Sequence, residues 1–180
     1  FTIILFMGFT TTNNKPAYRI FDSKGKEVSY DKAFKSAKKA DMVFFGELHN
    51  NPIAHWLQLQ VTKDLYKNKK NKLVLGAEMF ESDNQLILEE YLQGVISDKK
   101  FESECRLWDN YKTDYKPLVE FAKVNELKFI ATNVPRRYAN VTYKGGLKAA
   151  ENLSDEAKKY IAPLPIKTDL FTSKGSKYVF

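Results

Sequence analysis

Glu47, His49, Asn50, Asn51 and His55 crowd into one stretch, DMVFFGELHNNPIAHWLQL, that runs from Asp41 to Leu59. Carboxylate and imidazole groups can exchange protons near neutral pH or donate lone pairs to a cation. The two histidines here are the whole complement of the chain. Glu47 and His49, joined by Glu78 further along, form a candidate metal set suited to Zn²⁺ or Mn²⁺. Such a set would serve a metal-dependent esterase or peptidase in which a metal-bound water is the nucleophile. His49 and His55 do not have the spacing of an HExxH helix, so the signature of that protease class is absent. The competing structural role is an ion pair of Glu47 or Glu78 with Arg136, because carboxylates withdrawn from water need a partner.

These groups have to be positioned by regular elements. Met42 to Phe45 is an unbroken apolar run, Gly46 lets the backbone turn, and Asn51-Pro52 reads as cap and first residue of a helix. That helix is expected over about Pro52 to Tyr66, with Ile53, Trp56, Leu57, Gln60, Val61 and Leu65 near helical period. Leu73–Ala77 is a second apolar run delivering Glu78, and Leu127–Thr132 a third, leading to Asn133 and Arg136. Apolar runs that alternate with amphipathic segments imply an α/β fold: a parallel sheet with crossover helices and additional helices. The site then lies at the carboxyl edge of the strands, where Glu47, Glu78 and Asn133 converge.

Other local signals fill in the order. Ala17–Asp22 and Glu27–Ser29 form a hairpin around Gly25, and Ser29 or Asp31 caps a helix over Lys32–Lys39. Ser82-Asp83-Asn84-Gln85 matches a capping box, and Gly94 can end the helix it opens. A short helix and a loop are expected over 97–114. A helix follows from Tyr115 to Val124 with Pro117 in its first turn, then a turn at Pro135–Tyr138 and a helix from about Ser154 to Tyr160. Trp56 and Phe121 are expected in the core.

The chain has 180 residues, 43% hydrophobic and 14% aromatic, enough for one folded domain with a substantial core. Its net charge of +7 comes mainly from scattered lysines, the mark of a solvated surface rather than of a nucleic-acid interface. Cys105 is the only cysteine. It allows no internal disulfide, and neighbouring acidic residues disfavour its thiolate. Phe1–Phe9 (FTIILFMGF) is too short to span a bilayer as a helix and looks like the end of an export signal. Residues 1–16 are therefore expected as a signal remnant or extension, and 17–180 as a single α/β domain.

Tyr138 stands apart from the other aromatics. It follows Arg136 and Arg137 just beyond a strand end, and a phenolate there could ligate ferric haem. Neighbouring guanidinium charge favours the ionised phenol and can pair with carboxylates.

FFGELHNNPIAHWLQLQV, LGAEMFES, WDNYKTDYKPLVEFAKVNELKFIATNVPRRYA and YKGGL together resemble the ChaN-like haem-binding family, over about Tyr18 to Leu147. That family sits in a wider group with erythromycin-esterase-like hydrolases and Tiki-type metalloproteases. The resemblance implies an exported bacterial protein of the periplasm or outer membrane, lipid-anchored in many members, that handles haem in iron uptake. It also implies a homodimer with two stacked haems, each iron bound by one tyrosine and its propionates touched by a histidine of the partner chain, and contact with an outer-membrane haem or iron receptor. Tyr138 is the first candidate ligand and Tyr115 the second, with His55 and His49 as histidine candidates and Arg136 beside the propionates. Two departures stand out. The later glycine–histidine motif of the family is absent, so the domain is expected to be incomplete toward its C-terminal side, and no cysteine near Phe9 offers a lipid anchor. Haem binding without enzymatic activity is the leading expectation, and metal-dependent hydrolysis through Glu47, His49 and Glu78 the alternative.

Overall fold

In a computed structural model of the chain, residues 15–165 are described. Phe1–Phe9, the expected signal remnant, lies outside them. The first described elements are the antiparallel pair β1 (Ile20–Phe21) and β2 (Glu27–Val28). Ser29 then caps α1 (Tyr30–Phe34), its hydroxyl accepting from the Lys32 N–H at 3.4 Å. The helix expected over Lys32–Lys39 is split here, since only a separate 3₁₀ turn covers Ala37–Lys39. Tyr30 ties this unit to the next helix by donating to Asp64 at 2.9 Å.

α2 (Pro52–Lys69) starts as its sequence dictates: the Asn51 carboxamide oxygen accepts from the N–H groups of Ile53 and Ala54 at 3.0 and 3.2 Å. Proline follows where no donor is lost. The buried positions of α2 are His55, Val61 and Thr62, so Trp56, expected in the core, instead lies 47% exposed against Tyr18.

β3 (Val74–Glu81) and β4 (Lys128–Asn133) pair in parallel, with Val74 opposite Lys128 and Glu81 opposite Asn133. The intervening chain supplies α3 (Gln85–Leu92), α4 (Asp98–Glu104), a π-helical turn at Tyr111–Tyr115 and α5 (Lys116–Val124). Together they bury one face of the pair. Met79, Phe80, Leu88, Tyr91, Phe101, Val119, Ala122 and Phe129 form its centre, each nearly inaccessible to solvent. Phe101 stacks on Tyr91 at 4.4 Å, and Phe80 meets Phe129 edge-on at 5.6 Å. Each ring so buried contributes roughly 1.5–3 kcal/mol. α3 stops at Gly94, whose φ of +75° suits a residue without a Cβ. After β4 come α6 (Arg136–Glu151), kinked at Gly146 (φ +71°), and α7 (Asp155–Lys158), capped by Ser154. No helix among the described residues is long and apolar enough to cross a membrane.

Three expectations need correction. Met42–Gly46 joins no ladder among the described residues, and Met42 and Phe44 are each 71% exposed. An apolar run becomes a strand only where a neighbouring ladder accepts its backbone groups, and neither described sheet does so. The second strand does not stop at Ala77. A register shift between Ala77 and Glu81 carries β3 onward through the buried Met79 and Phe80, so Glu81 rather than Glu78 is its last residue. Ser82 makes no capping bond to the start of α3. Its hydroxyl donates to the Tyr160 carbonyl, while Gln85 bonds the backbone of β4.

Candidate functional site

Glu47 sits between the end of the extended Met42–Gly46 segment and α2. Its two carboxylate oxygens take hydrogen bonds from the Tyr115 phenol and the Gln58 amide, with His49 Nδ1 at 3.2 Å and His55 Nδ1 at 3.4 Å. Burial acts to raise this carboxyl, but the bonds from Tyr115, Gln58 and His49 outweigh it, and the group lies below the usual carboxylate range. The same bond works the other way on Tyr115. Burial first, then the bond to Glu47, pushes the phenol well above its ordinary value.

His55 is 4% exposed, and both of its ring nitrogens face oxygen acceptors. Nε2 donates to the His49 carbonyl at 3.0 Å, with Asp114 at 3.9 Å, and Nδ1 lies 3.0 Å from the Gln58 amide oxygen. His49 is the exposed member, its ring edge-on to Trp108 at 4.7 Å. Asn110 closes the group by donating to the His49 carbonyl at 2.5 Å and to Asp114 at 2.8 Å. No set of three or more His, Cys, Asp or Glu side chains among the described residues is arranged to hold a metal ion.

A second cluster forms where β3 and β4 end. Glu81, 8% exposed, accepts from Arg106 Nε and from the backbone N–H of Arg136, both at 3.0 Å. Asp83 receives both the Arg106 and the Arg137 guanidinium groups. The Arg137 guanidinium also lies over the Tyr138 ring, 4.4 Å from its centre. Between these groups opens a recess of about 480 Å³ lined by Glu81, Arg106, Arg136, Arg137 and Asn140. The loop after α4 serves both clusters, since Arg106 enters this one while Trp108 and Asn110 reach the first. Cys105, in the same loop, is buried and its thiol is pushed up to about 12 by that burial, which fits an inert side chain.

The predicted site residues therefore divide. Glu47, His49, His55 and Tyr115 come together, whereas Arg136 lines the recess and Tyr138, on the same first turn of α6, lies under the Arg137 guanidinium. Glu78 is exposed on the open face of β3, near enough for its charge to act on Tyr115. Arg136 uses its backbone, not its guanidinium, to meet Glu81. Sequence reasoning missed Gln58, Asp114, Glu81, Asp83 and Arg106. Gln58 was accessible to it, one turn beyond His55 on the same helix face. Glu81 was hidden by the register shift.

The fold and its strand-end clusters define an α/β protein that gathers aromatic, acidic and guanidinium groups at the carboxyl end of a parallel pair. The sequence model of the family described as "Haem-binding uptake, Tiki superfamily, ChaN" matches residues 33–178, and the chain belongs to that family. The solved structure described as "Cofacial heme binding to ChaN of Campylobacter jejuni" is similar in fold, with a TM-score of 0.52 and 20% sequence identity over 71% of this chain. The chain spans 52% of that protein's length. No curated protein sequence matches.

Proposed function

We propose that this chain is a bacterial cell-envelope protein that binds haem for iron uptake, with the Tyr138 phenolate as the iron ligand. Membership of the haem-binding family supplies the ligand class. The arrangement around Tyr138 suits it: a half-buried phenol on the first turn of α6, with the Arg137 guanidinium over its ring. Phenolate is an established axial donor to ferric haem, and arginine is the natural partner of a carboxylate. Bound haem would contribute a ferric centre for the phenolate and two carboxylates for cationic groups. The observation that carries the choice of tyrosine is the engagement of Tyr115: its proton is committed to Glu47 and burial opposes its loss.

On this reading His49, exposed beside Trp108, is the histidine free to reach a second copy of the chain in a homodimer. His55 is enclosed and holds the loop instead. Location in the periplasm or at the outer membrane, lipid anchoring and delivery from a haem receptor belong to the same proposal. Titration of the purified chain with hemin tests it: a saturable Soret shift and a phenolate-to-iron charge-transfer band support it, and no spectral change overturns it.

The second reading, hydrolysis, is favoured by the Glu47–His49 contact at 3.2 Å, a carboxylate–imidazole pair suited to proton transfer, while the described residues assemble no set for the metal. Metal analysis together with ester and peptide substrates tests it. Turnover lost in Glu47→Gln would establish hydrolysis.

A further inference from the structure

α2 and α5 each run back to the start of a strand, α2 to β3 through residues 70–72 and α5 to β4 through residues 125–127. The strands are parallel and in register from Val74 opposite Lys128, so both connections meet at the amino end of the pair, away from the Glu47 cluster and the recess. Tyr66 packs edge-on against Phe121 at 5.6 Å and holds the last turns of the two helices together. Lysine concentrates at this end. Lys67, Lys69, Lys70 and Lys72 come from the first connection and Lys123 and Lys128 from the second, with Glu126 as the one acid in residues 66–74 and 121–128. Among the described residues only Lys67 of these six is ion-paired, to Asp64 at 2.7 Å. Lys70 and Lys123 lie over the rings of Tyr66 and Tyr91, and the last turn of α3 that carries Tyr91 adds Glu89 and Glu90, both half-buried. Val74 and Val124, next to these lysines in the chain, are open to solvent, Val124 at 79%.

Lysines in the last turn of a helix answer its unpaired carbonyls. That role covers Lys67 and Lys69 but not Lys72, which follows α2, nor Lys128, which opens β4, and both of these are exposed. Unpaired ammonium groups beside solvent-open aliphatic side chains match a surface with anionic headgroups over an apolar layer. A soluble polyanion would make no use of the valines. We propose that the amino end of the parallel pair is a docking face for an anionic lipid surface. Lysine stems let the ammonium groups reach headgroup phosphates while the valines meet the acyl boundary. Attachment of this kind is peripheral and needs no spanning helix. It goes beyond the haem reading and does not depend on it. β3, eight residues long, sets the docking face and Glu81 roughly 20 Å apart. A chain docked this way turns the Glu47 cluster and the recess to the aqueous side, open to a ligand arriving from solution.

The experiment is co-sedimentation of the full chain with vesicles of phosphatidylcholine mixed with phosphatidylglycerol, against vesicles of phosphatidylcholine alone. The native chain should pellet with the anionic vesicles, stay in solution with the neutral ones, and be released as salt screens the contact. A lysine near such a surface is worth roughly fivefold in partition, so Lys72→Gln with Lys128→Gln should weaken binding by roughly 25-fold. Lys144→Gln with Lys148→Gln removes the same charge from α6 and should leave partition almost unchanged. Circular dichroism and thermal midpoints check that both double variants are folded. Equal partition of the native chain to the two kinds of vesicle overturns the docking face. So does an equal loss in the two double variants, which would show that net charge alone draws the chain to the lipid. Retention by duplex DNA without partition to anionic vesicles would assign the lysines to a soluble polyanion and overturn it as well. None of these outcomes touches the hemin titration, so the haem reading stands or falls separately.

Discussion

The Tyr115 phenol donates to Glu47 across 68 residues of sequence, joining the turn before α5 to the segment that leads into α2. The bond holds Glu47 ionised and the phenol protonated, and each state depends on the other. Removing the hydroxyl in Tyr115→Phe leaves a partly buried carboxylate with one donor fewer. The expected cost is about 1–3 kcal/mol, read as a lower urea midpoint. The spectrum of hemin-loaded protein should stay as in the native chain. A charge-transfer band lost in this variant would move the iron ligand from Tyr138 to Tyr115.

Tyr138→Phe should behave in the opposite way. The side chain is half-buried and its principal contact is the Arg137 guanidinium, so stability should change by only about 0.5 kcal/mol. Hemin affinity should fall and the phenolate-to-iron band should disappear. A variant that is destabilised but spectrally normal would show that Tyr138 is a packing residue.

Stability should fall off at both ends of the pH scale. Glu47 is lowered despite burial by its bonds from Tyr115, Gln58 and His49, and Asp98 is lowered first by Lys116. A carboxyl lowered by folding contributes stability above its unfolded value and loses it as pH falls through the folded value. The acid loss should thus set in below about pH 4.5, the ordinary value for Glu. Tyr91 and Tyr115 are raised above the ordinary 10.0, mainly by burial and by bonds to carboxylates. Their contribution is complete below pH 10 and is lost as pH rises toward the folded values. Thermal midpoints measured across the acid and alkaline ranges check both limbs. Glu47→Gln should flatten the acid limb, and an unaltered limb would remove Glu47 as its source.

The local chemistry of the chain was legible wherever a few adjacent residues decide it. Asn51-Pro52 opens α2, Ser29 caps α1, and Leu127–Thr132 becomes β4 through Asn133, as their side chains require. What failed depended on distant partners. Met42–Gly46 has the composition of a strand, yet a strand is a relation between two segments and the sequence does not state its neighbour. The register shift after Ala77 moved the strand-end carboxylate from Glu78 to Glu81, because burying both Met79 and Phe80 breaks the alternation that locates an end. Arg106, 25 residues from Glu81, had no spacing to announce it. The GE-x-H stretch, by contrast, grouped Glu47 with His49 and His55, which do lie together, but gave no sign that Tyr138 would stand apart from them.

Gln85 is where a familiar pattern misleads and the difference can be measured. In a capping box the residue at this position returns to the helix start, and Glu serves there as well as Gln. Here Gln85 instead spans to β4: its amide nitrogen donates to the Phe129 carbonyl at 3.0 Å, and its oxygen accepts from the Ala131 N–H at 2.7 Å. It imitates the edge of a neighbouring strand, which needs one donor and one acceptor on the same side chain. A carboxylate has no donor, so Gln85→Glu should leave the Phe129 carbonyl unmatched and bring a charge beside it. The expected loss is about 1–3 kcal/mol, more than the cost of Ser82→Ala. Urea unfolding of the two variants decides the matter. A tolerated Gln85→Glu with a strongly destabilised Ser82→Ala would restore the capping box and remove Gln85 from the edge of β4.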